Sequence, residues 1–296
     1  MVSLPALEGV EHRFIDVADE VTIHVADAGP ADGPAVMLVH GFPQNWWQWH
    51  SLIDPLAADG YRVLCPDLRG AGWSSAPRSL YRKDEMADDL AAVVDRLDVG
   101  KVKVVAHDWA ARGVHYDAAP PGEGGRILRT EHFGAVAQSR PCHNLEYVAV
   151  VVSNPDRAPG HRATGDRRPK ARYFRMLVSW VGGGFSPPDD DFWFYVELMR
   201  EPGHAVAGSR WYRTFQTREM LSWLRGAYEP KNSEQLSIPI RWLHGTADPV
   251  IRPQLLRGYA KRASNFELEL VDGVGHWIVE QRPDLVLDRV RKFVKV

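Results

Sequence analysis

The stretch "KVKVVAHDWA", residues 101–110, carries the pattern that decides the fold. Its first half is a run of valines that is typical of a strand buried on both faces of a sheet. The strand pattern stops at His107, and Asp108 follows, with alanine at the small-residue positions 106 and 110. Small neighbours are needed where a sharp strand-to-helix turn pushes one side chain outward. We therefore predict a buried strand that ends in a tight turn with Asp108 at its tip.

The sequence before this turn repeats the same arrangement. "AVMLVH" at 35–40 and "YRVLCP" at 61–66 are apolar runs followed by turn signals, and "HRFIDV" and "VTIHVADAG" alternate like an antiparallel pair. "KDEMADDLAAVVDRLDVG" at 83–100 predicts a helix with one apolar stripe, closed by a glycine. The stripe consists of Met86, Leu90, Val93, Val94 and Leu97. Strand, helix and strand in this order predict an α/β fold with a mostly parallel doubly wound sheet, whose sites form beyond the carboxyl ends of the strands.

Composition limits the classes of function. The chain has 296 residues, of which 45% are hydrophobic, so it can build one large core. A net charge of −2 provides no basic field for nucleic acid or an anionic membrane. Cys65 and Cys142 cannot form a disulfide framework, which favours a reducing cytoplasm. We see neither a signal-peptide pattern nor a run that approaches the roughly 20 apolar residues of a membrane span.

An aspartate at the tip of the turn determines the reaction type. A carboxylate with a reference pKa near 3.9 is ionised at neutral pH, so it can attack without a base. It suits displacement at a saturated carbon that carries a strained or good leaving group, and the product is an ester on the enzyme. Water must then cleave that ester, which requires a base. For Asp108 taken alone, a helix N-cap is an equally good interpretation.

Two partners follow downstream. "IPIRWLHGTADPVI" predicts a strand whose closing turn carries Asp248, and "FELELVDGVGHWIVE" predicts a strand followed by His276. Nucleophile, acid and histidine therefore occur in the chain order of a strand-borne triad, with room for an inserted cap before Asp248. The alternative for His276 is an ordinary surface histidine. Three such residues at strand ends favour the catalytic interpretation.

"HGFPQNWWQW", residues 40–49, lies at the end of the third predicted strand and adds a fourth element to the predicted site. We predict that the backbone N–H groups of Phe42 and Trp109 form an oxyanion hole for ester hydrolysis. The alternative is an aromatic loop that packs on the sheet. Pro43 and the cluster Trp46, Trp47 and Trp49 are expected to pack in that way, and the two roles are compatible.

Together these motifs resemble the α/β-hydrolase-fold epoxide hydrolases of the bacterial and mycobacterial type. The matching stretches are "HGFPQNWWQW", "PDLRGAGWSS", "AHDW", "SRWYRTF", "LHGTADPVI" and "GVGHWIVEQRP", within roughly residues 10–110 and 169–294. The resemblance implies that Asp108 opens the epoxide, Asp248 orients His276, and His276 activates water. Tyr212 in "RWYR" resembles one of the two cap tyrosines that hydrogen-bond the epoxide oxygen. Its alternative role is packing within the cap.

The resemblance also implies partners and a division into domains. We expect a small-molecule epoxide and water as substrates, a role in detoxification, no cofactor and no metal, while a homodimer stays open. Residues 1–110 and 231–296 are predicted to form the core, and 169–230 a helical cap with aromatic residues over the site. Four residues are predicted to bind substrate: Trp109, Trp211, Phe215 and Trp277. Phe192, Trp193, Tyr195 and Tyr212 are further aromatic residues expected to line or roof the pocket.

Related classes differ at single positions. Haloalkane dehalogenases often have asparagine where this chain has Phe42, and fluoroacetate dehalogenases usually have arginine where it has Trp109. Both differences favour an epoxide, although dehalogenases of either type and an inactive remnant are kept as alternatives. Esterases and perhydrolases would need serine in place of Asp108.

The resemblance fails between residues 111 and 168. The family pattern continues with a glycine pair and a long apolar helix, whereas "AARGVHYDAAPPGEGG" has a proline pair and glycines that stop any helix after about three turns. We interpret this anomalous segment as translated out of frame. One permitted back-translation of residues 113–120, read one nucleotide later, gives Ala-Phe-Ile-Met-Met-Arg-His-Pro, which has the apolar character of the family helix. The alternatives are a divergent cap and disorder.

The interpretation has a physical consequence. Loss of a helix that covers a parallel sheet exposes apolar area, and at about 25 cal/mol per Å² this can exceed the roughly 5–15 kcal/mol net stability of a domain. We therefore expect poor solubility or partial unfolding, and weak residual activity. DNA sequencing tests the interpretation, which fails if no compensating insertion or deletion lies near either boundary.

Overall fold

The computed structural model describes residues 2–78, 81–110, 129–130, 168–219, 239–253 and 265–295. Of the segment that we interpret as out of frame, only residues 129, 130 and 168 fall within these ranges. The predicted boundary between cap and core near residue 231 also lies outside them.

Two sheets are present in the described residues. The six-stranded sheet has the order β1-β2-β4-β3-β5-β6, in which β3 is parallel to β4 and β5, and β5 is parallel to β6. The β1–β2 and β2–β4 pairs are antiparallel. The six strands are β1 Val10–Ala18, β2 Val21–Ala28, β3 Ala35–Val39, β4 Arg62–Pro66, β5 Val102–Ala106 and β6 Arg129–Thr130. A parallel pair, β7 Ile240–Gly245 and β8 Phe266–Val271, forms the second sheet.

Helices cover both faces of the larger sheet, so β3 and β4 are buried along their whole length. On one face α2, Lys83–Arg96, packs against side chains such as Met37 and Val104. On the other face lie α1, His50–Ala58, and α7, Pro283–Val294, against Leu38 and Val105. Because neighbouring strand residues point to opposite faces, each strand contributes to both cores. The α/β fold predicted from the sequence is confirmed.

Helix α2 agrees with its predicted stripe. Met86, Leu90, Val93 and Val94 are buried, while Leu97 follows the helix end as its C-cap. The Glu85 side chain accepts a hydrogen bond of 3.0 Å from the backbone N–H of Arg82, which satisfies one of the free donors at the helix start. Gly100 closes the segment with φ +68°, a conformation that glycine adopts without strain.

Three helices lie in the described part, 168–219, of the region predicted as the cap. They are α3 Arg168–Val181, α4 Asp189–Met199 and α5 Pro202–Thr214, and a π-helical turn, Phe215–Glu219, follows α5. Helix α4 starts after Pro188 with three aspartates in its first turn, where negative charge is favourable.

Indole hydrogen bonds join these helices to the core. Trp211 donates to the Arg69 carbonyl at 3.1 Å, and Trp47 donates to Asp191 at 2.6 Å. A third indole, that of Trp277, donates to the carbonyl oxygen of Val178 in α3 at 2.7 Å. The short helix α6, Ile278–Gln281, directly follows Trp277. These contacts hold the helical region against the turns that follow β3, β4 and β8.

Within the described ranges, no helix has both the length and the apolar character needed to cross a membrane. The same residues contain no group of three or more metal-binding side chains that could hold an ion.

Candidate active site

Asp108 lies at the tip of the turn after β5, in a left-handed backbone conformation with φ +50°. A residue other than glycine loses roughly 1–2 kcal/mol in this conformation, so the turn is strained at the residue predicted to react. The neighbouring loop leaves little room, because a Cβ atom on Gly41 would lie 2.5 Å from Cβ of Asp108. The glycine of "HGFP" is therefore required by the close approach of the two turns.

The two carboxylate oxygens of Asp108 have different partners. The backbone N–H of Phe42 donates to Oδ2 at 3.1 Å. Oδ1 lies 3.5 Å from Nε2 of His276. One oxygen is thus held at the predicted oxyanion hole, while the other faces the histidine. The part of that hole assigned to the Trp109 N–H stays a prediction.

His276 is oriented by Asp248, as the chain order suggests. Its Nδ1 lies 2.9 Å from Oδ2 of Asp248. The other carboxylate oxygen of Asp248 accepts from the backbone N–H groups of Val250 and Ile251, at 2.7 and 2.9 Å. Because an ionised carboxylate only accepts, Nδ1 of His276 carries the hydrogen, and Nε2 is directed at Asp108.

Electrostatics in this cluster favours charged groups. Burial acts to raise the pKa of Asp108 and of Asp248, but His276, together with a backbone N–H donor and a second histidine in each case, lowers both pKa values overall. For His276 burial acts in the opposite direction, yet the charges of Asp248 and Asp108 raise its pKa to about 10. At neutral pH the free site therefore holds an imidazolium between two carboxylates.

Tyr212 in α5 packs against two residues next to Asp108. Its ring contacts Trp109 at a centroid distance of 4.8 Å and Phe42 at 5.1 Å, both edge to face. Burial and the charge of Asp108 raise the pKa of Tyr212, against a smaller lowering by the hydrogen bond with the Trp109 side chain. The phenol is thus neutral at neutral pH, and its hydroxyl group can donate.

The four residues predicted to bind substrate divide into two groups. Trp109 contacts Phe215 and Trp211 at ring distances of 5.6 and 5.9 Å, so these three rings and Tyr212 form one aromatic cluster that begins at the residue after Asp108. Trp277 lies edge to face with His276 at 5.1 Å and packs in an apolar cluster with Phe192. Among the other aromatic residues expected to line or roof the pocket, Trp193 is 36% exposed, whereas Phe192 and Tyr195 are buried.

Several polar residues near the site were not singled out from the sequence. The ammonium group of Lys83 lies 3.5 Å from the centre of the Trp109 ring, and Lys83 is buried, a geometry typical of a cation–π contact. His107, Gln48 and Glu280 form a hydrogen-bonded group beside the triad. Their sequence context gives no signal, because each contact depends on how distant segments pack.

Comparison with known proteins agrees with this architecture. A family profile described as alpha/beta hydrolase fold matches residues 34–283. Epoxide hydrolase A of Mycobacterium tuberculosis is 27% identical over 315 aligned positions, which cover 95% of this chain and 96% of that protein. The crystal structure of epoxide hydrolase VrEH1 from Vigna radiata has a TM-score of 0.72 at 22% identity and covers 98% of this chain and 99% of that one. At that identity the likeness is one of fold.

Another relative has a higher sequence identity to this chain, but over a shorter region. The AB hydrolase superfamily protein YfhM of Bacillus subtilis is 40% identical over 105 residues, which are 35% of this chain and 36% of that protein. The match therefore spans about a third of that relative's own length.

Proposed function

Because the chain belongs to the α/β-hydrolase-fold family, we propose that this hydrolase opens an epoxide to a vicinal diol through an ester on Asp108. One observation carries the proposal: an ionised carboxylate stands at the strained turn, with one oxygen at a backbone donor and the other 3.5 Å from Nε2 of His276. Epoxide hydrolase A of M. tuberculosis, similar over nearly its whole length, supports the choice of substrate class.

In the first step Oδ1 of Asp108 attacks an epoxide carbon, and the carbon–oxygen bond of the strained ring breaks. The departing oxygen needs a proton, and we assign its donation to the neutral hydroxyl group of Tyr212. Formation of the ester removes the negative charge of Asp108. Because that charge helps to raise the pKa of His276, the imidazolium becomes more acidic at this moment and supplies the proton that restores Tyr212.

In the second step neutral His276 takes a proton from water, and the water oxygen attacks Cγ of Asp108. The charge that develops on Oδ2 is stabilised by the Phe42 N–H, which already donates to this atom at 3.1 Å. The bond between Cγ and Oδ1 then breaks, and Oδ1 leaves as a hydroxyl group of the diol with the second proton of the water. Asp108 regains a carboxylate oxygen from solvent, and His276 is again an imidazolium.

Each titratable group therefore returns to its starting state without net proton exchange with bulk solvent. Asp248 keeps its charge throughout and holds the imidazole orientation. A histidine that is protonated at neutral pH cannot act as a base. In this cycle His276 first gives its proton to Tyr212, and it can then accept a proton from water.

Diol formation from an aryl epoxide and from a lipid epoxide, measured for the wild type and Asp108→Asn, tests the proposal. We expect diol from the wild type and none from the variant, since an amide is not a comparable nucleophile. A frame-restored chain should be more active than the present one. Equal turnover by Asp108→Asn would remove Asp108 from the mechanism.

The same enzyme preparations separate the alternatives. Release of halide from a haloalkane or from fluoroacetate, without diol formation from either epoxide, would favour a dehalogenase. If neither the present nor the frame-restored chain forms diol from an epoxide or releases halide from a haloalkane or from fluoroacetate, an inactive remnant is favoured.

A further inference from the structure

His107 links the two loops that carry the reacting groups. It directly precedes Asp108, and its Nε2 lies 2.9 Å from the backbone carbonyl oxygen of His276. Its Nδ1 lies 3.1 Å from Nε2 of Gln48. His107, His276 and Gln48 are all buried. One imidazole therefore touches both the loop of the histidine and the helical turn after β3.

The directions of these hydrogen bonds follow from their partners. The Gln48 amide nitrogen also lies 3.4 Å from each carboxylate oxygen of Glu280, so it donates on both sides. Nδ1 of His107 must then accept, which leaves the hydrogen on Nε2 and makes it the donor to the His276 carbonyl. Burial, helped by the nearby His276, lowers the pKa of His107 to about 4. The ring is thus neutral at neutral pH, as this arrangement requires.

The two loops follow strands of different sheets in the part of the chain that the structure describes. Asp108 follows β5 of the six-stranded sheet, whereas His276 follows β8 of the two-stranded sheet. No backbone ladder joins these two strands in the part of the chain that the structure describes. In the described residues, the contact between His107 and the His276 carbonyl oxygen joins the two loops whose reacting groups lie 3.5 Å apart.

We propose that Gln48 and His107 are positioning residues, which hold His276 at the distance from Asp108 that hydrolysis of the ester requires. The inference deepens the proposed function and rests on it. Opening of the epoxide ring depends on Asp108 and Tyr212, and His276 returns a proton to Tyr212 only after the ring has opened. Hydrolysis, in contrast, needs His276, water and Cγ of Asp108 aligned. A shift of about 1 Å in a reacting group can reduce the rate of a reaction step by roughly a hundredfold. Loss of the hydrogen bonds from Gln48 to His107 and from His107 to the His276 carbonyl oxygen should therefore slow hydrolysis of the ester selectively.

The test uses Gln48→Met, which removes the amide but keeps a side chain of similar length. Gln44→Met is the matched control, since Gln44 also donates to Glu280, at 3.2 Å, but has no hydrogen bond to His107. Rapid-quench mass spectrometry with an aryl epoxide gives the rates at which the alkyl-enzyme forms and decays. For Gln48→Met we expect decay to fall by about tenfold or more and formation to stay within about twofold. Gln44→Met should keep both rates.

A second variant distinguishes a positioning role from a folding defect. His107→Asn is too short to reach both the Gln48 amide and the His276 carbonyl, so it should give the same selective loss. A merely structural role would lower the active fraction, and both rates would fall together. Equal loss of both rates, unchanged decay in Gln48→Met, or the same selective loss in Gln44→Met would overturn the inference.

Failure of the proposed function is distinguishable from these outcomes. A wild type that forms no alkyl-enzyme contradicts the proposed function itself. The positioning role of Gln48 and His107 is then tested by NMR titration of the His276 imidazole. We expect its pKa to fall in Gln48→Met, because the contact with Asp108 loosens. A pKa equal to that of the wild type would overturn the role of Gln48.

Discussion

Nε2 of His276 and Oδ1 of Asp108 lie 3.5 Å apart in a buried cluster, with Asp248 on the other side of the ring. The ring and the two acids form one coupled system, in which protonation of His276 and ionisation of the carboxylates stabilise each other. The stability of the folded protein should therefore depend on pH through this cluster.

The pKa of His276 is raised to about 10 in the folded protein, from about 6.5 in the unfolded chain. A group with a raised pKa contributes its full stability below the unfolded value and loses it as pH rises through the folded value. The gap in unfolding free energy between the wild type and His276→Gln should shrink as pH rises from about 6.5 to about 10. Urea unfolding at several pH values measures it. A gap that does not change over this range would contradict the ion pair.

Gly41→Ala tests the close approach of the two turns. The new Cβ would lie 2.5 Å from Cβ and 2.9 Å from Oδ2 of Asp108, so the nucleophile must move. We expect a loss of about 1–3 kcal/mol of stability and of most ester formation, as for other overpacked sites. The control is Gly203→Ala, whose Cβ would meet its nearest neighbour, Ala76, at an ordinary 3.4 Å. Melting temperature and alkyl-enzyme formation are measured, and two variants that behave alike would rule out this explanation.

Tyr212→Phe keeps the ring between Trp109 and Phe42 but removes the hydroxyl group. Because that group is expected to donate to the epoxide oxygen, formation of the alkyl-enzyme should fall by roughly 10²–10³. Its decay, which uses His276 and water, should change by less than about tenfold. Tyr81→Phe is the control for loss of a buried hydroxyl group, since Tyr81 donates to the Pro77 carbonyl at 2.8 Å. Equal rates in the wild type and Tyr212→Phe would leave Tyr212 with a packing role alone.

Much of the fold and the arrangement of the three central residues could be predicted from local patterns. The valine run of β5 and the alanines around Asp108 indicate the buried strand and the turn. Asp248 and His276 follow strand patterns of their own, so their convergence follows from the rule that parallel strands present their carboxyl ends together.

Contacts between distant segments could not be predicted in this way. Gln44 and Glu280 are 236 positions apart and meet only because α6 packs beside the turn after β3. Lys83 was assigned to a helix start, and its position over the Trp109 ring depends on tertiary packing. Trp277 is predicted to bind substrate from its motif, yet its indole N–H donates to the carbonyl oxygen of Val178 in α3. Such details come from side-chain directions, which hydrophobic periodicity does not specify.

The most direct measurement of the central claim is a single turnover in water labelled with oxygen-18, with enzyme in excess over epoxide. If Oδ1 of Asp108 becomes a hydroxyl oxygen of the product, the first diol carries no label, and the label enters the carboxylate of Asp108. Mass spectrometry of the diol and of the peptide that contains Asp108 measures both. A labelled diol with an unlabelled Asp108 would mean that water attacks the epoxide directly, and the covalent mechanism would be wrong.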